Sequence, residues 1–172
     1  AVPTQLGDSY RGHPVMATTP EFFSRFQPDA ATPWALREGS FFDAEFEAVL
    51  GADVARRTGL KVGERIVLTH GVSDEGHEHP EYQYEVVGIL EPTGSSHDRA
   101  LFTSLESTWI IHAHDRRLRE NPSAERTTTE HLTPADKLIT GVYIALPPRP
   151  GSKIPAVLQQ VFDIMRRDTS IT

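Results

Sequence analysis

The chain has 172 residues, no cysteine and a formal net charge of −7. The missing thiols exclude a disulfide scaffold, a thiol nucleophile and thiolate zinc sites, and the acidic balance argues against a nucleic-acid or anionic-membrane binder. The length suffices for one ordinary domain or two small lobes with a real core, and no apolar run approaches the roughly 18 residues of a membrane-spanning helix.

Pro3, Gly7, Gly12 and Pro14 punctuate the first 16 residues, with a short strand expected at Val15-Met16-Ala17. Thr19-Pro20-Glu21 reads as a helix start: a capping hydroxyl, a proline in the first turn, an acid near the dipole's positive end. Phe22, Phe23 and Phe26 then share a helical face, as core aromatics do, with a partner-binding patch as the alternative. Residues 27–47 form a connector cut by Pro28, Pro33 and Gly39, with a helical turn expected at Trp34-Ala35-Leu36. Phe41, Phe42 and Phe46 belong to the core.

From Ala48 to His70 the pattern is strand, short helix, turn, strand. Val49-Leu50 is a buried apolar run, Gly51 breaks it, and Gly59 closes the helix that follows, because glycine takes a left-handed conformation at little cost. Lys61-Val62-Gly63-Glu64 is a turn and Arg65 to Thr69 a strand. A polar loop runs from Gly71 to Pro80. Glu81 to Leu90 is the clearest strand: one face is apolar throughout and the other becomes so at its end. Strands 65–69 and 81–90 are expected to pair antiparallel.

Arg99 to Thr103 is a short strand. Thr103-Ser104-Leu105-Glu106 has the form of a capping box, and the helix it opens is expected to reach about His112. Residues 114–136 are charged, Thr-rich and broken by Pro122 and Pro134, so a long loop or flap is expected. Leu138 to Leu146 is a strand. The last helix starts at Ser152 and carries Ile154, Val157, Leu158, Val161, Phe162 and Met165 as one stripe, expected to dock on a sheet.

"VLGADVARRTGLKVGERIVL" followed by "YEVVGILEPTG" resembles the extracytoplasmic domain of MacB/FtsX-type ABC-transporter permeases; "YRGHPVMATTPEFF" and "WALREGSFF" match more loosely. The resemblance implies a non-enzymatic domain on the periplasmic side of the cell membrane, engaging a substrate or an envelope partner and relaying ATP-driven motion. Its partners would be a separate ABC ATPase, the permease's own membrane helices lying outside this fragment, a periplasmic protein, and a second copy in a dimeric transporter; no nucleic acid is implied. The fold expected is α+β and two-lobed: an α/β, porter-like lobe from residues 1–36 and 138–172, and a β-rich, sabre-like lobe inserted between them at 37–137.

Histidine is the one unusual chemistry, with eight in an acidic chain. Imidazole and carboxylate suit Zn(II), Ni(II) or Cu(II). His77 and His79 share a side of an extended segment, and His112 and His114 offer a second pair; these four, completed by Asp115 or Glu78, make the candidate zinc site. A metal-binding or metal-sensing module is therefore the second functional reading, and no other cofactor is expected. Ser95, Ser96, His97 and Asp98 suggest a hydrolase less well, since sequence neighbours cannot converge as a triad and no nucleophile elbow is present. The chain has no phosphate-binding Gly-x-x-x-x-Gly-Lys loop, so any ATPase is another chain.

Overall fold

The computed structural model describes residues 1–28, 32–70, 77–146, 150–151, 155 and 157–168, the side chains of His70, His77 and Asp168 apart. The chain divides into two units. The larger, Val2–Tyr143, is α+β and holds one mixed sheet. In chain order its elements are β1 (Val2–Tyr10), β2 (His13–Thr18), α1 (Glu21–Arg25), β3 (Leu36–Gly39), β4 (Glu47–Leu50), α2 (Ala52–Thr58), β5 (Arg65–Ile66), β6 (Thr69–His70), β7 (His77–Glu78), β8 (Tyr84–Leu90), β9 (Leu101–Ser104), α3 (Leu105–Glu120) and β10 (Gly141–Tyr143).

Among the described residues the strand order is β3-β8-β4-β9-β2-β1-β6-β7, with β5 also on β8 and β10 also on β1. The pairs β4–β8 and β2–β9 are parallel, and β4–β9 is antiparallel. Both faces of the central strands are covered. Ala48 and Leu50 of β4 enter one core with Leu101 of β9, Val54 and Ala55 of α2, and Ile110 and Ile111 of α3. Val49 and Phe102, their neighbours in sequence, enter the other core with Phe22 and Phe23 of α1 and with Phe42. Alternate residues of a strand face opposite ways, so a strand covered on both sides reads as a continuous apolar run. The three phenylalanines of the α1 segment are core: Phe22 stacks on Phe26 and Phe102, and Phe23 on Phe41.

Several local expectations hold. Gly59 caps α2 in the left-handed conformation, φ 74°, donating its N–H to Ala55 O at 2.9 Å. Arg65 and Ile66 pair antiparallel with Glu85 and Tyr84. β8 begins with one face exposed and ends buried on both.

Others are corrected. Residues 2–10 form a nine-residue strand that the glycines and proline concealed. Leu36 begins a strand, not a helical turn, and β3 lies against β8 where two glycines meet: a Cβ on Gly88 would lie 2.1 Å from Ser40 O, and one on Gly39 2.0 Å from Val87 O. The strand expected at 65–69 stops at Ile66, and Thr69–His70 turns away to pair with β1 and β7. The cap of α3 is Ser104, whose Oγ accepts from Ser107 N, while the Thr103 hydroxyl donates to Glu47 O. That helix runs to Glu120. Beyond it, short 3₁₀ turns at Thr129–His131 and Pro134–Asp136 give the expected loop its form, and Asp136 is held by a two-pronged Arg116 contact at 3.0 and 3.1 Å.

The larger unit is continuous from Val2 to Tyr143, and β2 pairs in parallel with β9 within its sheet. The second unit comprises Ala1 and residues 144–172; its described helix, α4, is Leu158–Asp168. Ser152 and Ile154, the expected cap and first core residue of that helix, lie outside the described residues. Leu158, Phe162 and Met165 of the stripe are exposed, so these three are not core side chains.

Candidate functional site

Among the described residues, a group of titratable side chains converges between the His79–Tyr82 turn and α3. Tyr82 N donates to His79 O at 2.9 Å, closing a turn with Pro80 at the position proline favours. The turn lowers His79 and Glu81 towards α3, where His114 and Asp115 are adjacent. His79 and His114 are only 4% and 5% exposed. His79 Nδ1 lies 2.9 Å from Glu81 Oε1, and His114 Nε2 lies 3.3 Å from the same oxygen. His79 Nε2 meets Asp115 Oδ1 at 2.9 Å. The imidazole rings stand 5.8 Å apart at 71°.

Tyr82 and Thr127 form the floor of the site. The Tyr82 ring meets the His114 ring edge-on at 5.2 Å and stacks on Phe46. Thr127 Oγ1 is 3.1 Å from His114 Nδ1 and accepts from Arg117 Nη1 at 2.7 Å. The Arg126 guanidinium lies over the Tyr82 ring at 4.8 Å.

The electrostatics follow from this packing. Burial pushes the Glu81 carboxyl up, but its own backbone N–H, the His79 hydrogen bond and the two nearby imidazoles outweigh that and hold it below its ordinary value. Burial pushes His114 down, and the Glu81 charge recovers only part of the loss. Burial likewise raises the Tyr82 hydroxyl against its Thr127 hydrogen bonds.

Of the four histidines expected as ligands, the structure brings His79 and His114 together. His112 points elsewhere, its Nδ1 3.2 Å from Gln5 Nε2. The physical reason is that α3 continues past it: residues two apart on a helix are about 200° apart around the axis, whereas in an extended chain they share a side. His77 contributes its backbone to β7, and its side chain lies outside the described residues. Asp115, expected to complete the ligand shell, lies 2.9 Å from His79 Nε2 and is not one of the three convergent donors. Glu78 is not among the convergent donors; Glu81 is, and only its alternate spacing from His79 signals it in the sequence.

The Ser95–Asp98 segment is a capped turn. The Asp98 carboxylate accepts from Thr93 N, Thr93 Oγ1 and Gly94 N, so it is turned to the loop backbone and not to His97. Ser95 Oγ lies 2.9 Å from His97 Nδ1, and the His97 ring packs against Trp34 and Phe102.

A family model for the MacB-like periplasmic core domain matches residues 1–163. No curated protein matches the chain. Among solved structures it is similar to the extracellular domain of the noncanonic ABC-type transporter YknZ from Gram-positive bacteria, at 8% identity and a TM-score of 0.37, over 74% of this chain and 60% of that one. It is also similar to a domain of a permease protein from Porphyromonas gingivalis, at 16% identity and a TM-score of 0.44, over 98% of this chain and 63% of that one. The chain thus spans less than two thirds of either solved relative. No described helix is long and apolar enough to cross a membrane. With 163 of its residues matched by one family model, the chain belongs to the MacB-like periplasmic core domains, the extracytoplasmic domains of ABC-transporter permeases.

Proposed function

We propose that this domain engages a substrate or an envelope partner outside the cytoplasm and couples that engagement to the ATP-driven motion of a separate ATPase. The family match over residues 1–163 carries the reading, since that family implies an ABC ATPase and permease membrane helices as partners. The coupling is mechanical: the membrane helices of the permease shift between two arrangements as the ATPase cycles, and the domain is carried with them. The domain itself is non-catalytic. Supporting this, the Asp98 carboxylate is spent on its own loop, so Ser95 and His97 lack the third group of a triad. A second protomer and a periplasmic protein complete the assembly.

The test uses the full transporter in proteoliposomes. Replacing this domain by a flexible Gly/Ser linker should abolish transport while the ATPase still hydrolyses ATP. Transport at the wild-type rate without the domain would overturn the reading.

A further inference from the structure

The geometry points to a zinc site formed by His79 Nδ1, His114 Nε2 and a carboxylate oxygen of Glu81, a function separate from the coupling role. The three donor atoms lie within 4.8 Å of one another. The two measured contacts to Glu81, 2.9 and 3.3 Å, are close to the donor–donor edge of about 3.3 Å that follows for tetrahedral zinc with bonds of about 2.0–2.1 Å. Two imidazoles and a carboxylate form a ligand set that zinc uses in open, three-ligand sites. Glu81 is 37% exposed, so the fourth position faces solvent, where water or a carboxylate of a bound partner can enter.

The surroundings are those of a metal site. Ligand histidines hold their second ring nitrogen with a carboxylate or other acceptor, which fixes the tautomer and orients the ring. Here Thr127 Oγ1 does this for His114 Nδ1 at 3.1 Å, and the Asp115 carboxylate lies 2.9 Å from His79 Nε2. Thr127 accepts from Arg117 on one lone pair, leaving the other for the imidazole. His79 Nδ1 is hydrogen-bonded to the Glu81 carboxylate at 2.9 Å, the place in which a metal ion would replace the shared proton. A proton satisfies one imidazole, whereas a zinc ion satisfies both imidazoles and the carboxylate together.

The experiment is calorimetric titration of the chelator-stripped 172-residue chain with zinc chloride. The expected result is one zinc per chain with a Kd of about 1 µM or tighter. Glu81→Gln, at the solvent-facing ligand, and His114→Ala each weaken binding by about 10-fold or more, and Asp115→Asn by about 10–100-fold through the orientation of His79. His112→Ala leaves it unchanged. Circular dichroism of each variant separates a lost ligand from a lost fold, and Glu81→Gln preserves the shape of the turn if His114→Ala does not fold. Absence of saturable binding, or a Kd unaltered by Glu81→Gln, would overturn the site and leave the transporter reading untouched.

Discussion

Tyr82 and Thr127 are bonded to each other twice. The Tyr82 hydroxyl donates to Thr127 O at 3.0 Å and accepts from Thr127 N at 2.7 Å, so one phenol satisfies both backbone groups of a buried residue 45 positions away. This pair fixes the segment after α3 against the start of β8 and holds Thr127 Oγ1 beneath His114.

Tyr82→Phe keeps the ring on Phe46 and removes both bonds. The Thr127 N–H and C=O are then buried without partners, a penalty of about 1–3 kcal/mol for each group that water cannot reach. Urea denaturation should show a lower midpoint with an unchanged slope. An unchanged midpoint would mean that the 121–128 segment opens to solvent at no cost.

The contact between β3 and β8 depends on glycine. In Gly88→Ala the new methyl meets backbone, Ser40 O at 2.1 Å, and no side chain can swing aside to relieve it. The strands must separate, at an expected cost of about 1–3 kcal/mol or more. Gly94→Ala is the control. Its φ is +71° with open space around the added methyl, so it carries only the left-handed backbone penalty of about 1–2 kcal/mol. Thermal denaturation of the two variants should rank Gly88→Ala as the less stable; the reverse order would contradict the close approach.

Much of this architecture was legible in the sequence because local rules governed it. The left-handed Gly59, the β8 alternation and the α1 aromatics each follow from a backbone preference or a period. What escaped did so for identifiable reasons. β1 carries Gly7 and buried polar residues such as Thr4, Gln5 and Ser9, so it lacks an apolar period. α3 beyond His112 buries His114, a polar residue, and its helical face is therefore invisible to hydropathy. The same extension separated His112 from His114 and redirected the candidate site to Glu81, a partner set by the turn at Pro80 and not by a ligand motif.

Asp136 ties the chain after α3 to the helix through Arg116, and its contribution is pH-dependent with a definite sign. Burial pushes the Asp136 carboxyl up, but hydrogen bonds from Thr133 N and Oγ1 and from Arg116 more than offset this, so its folded pKa lies below the ordinary 3.8. A depressed carboxylate contributes stability that is present above the unfolded pKa and lost as pH falls through the folded one. The stability gap between wild type and Asp136→Asn should therefore be full at pH 6 and narrow below about 3.8. Denaturant titrations at pH 6 and pH 3 check this, and a gap that widens on acidification would contradict the sign.

A single cysteine tests most directly whether this domain works outside the cytoplasm. The chain has none of its own, and Leu138 is 63% exposed, so Leu138→Cys supplies one reachable thiol. In the full permease, freed of any other cysteine and expressed in intact cells, that thiol should react with a maleimide small enough to reach the periplasm but unable to cross the cell membrane. Reaction only after the cell membrane is broken would contradict an extracytoplasmic domain.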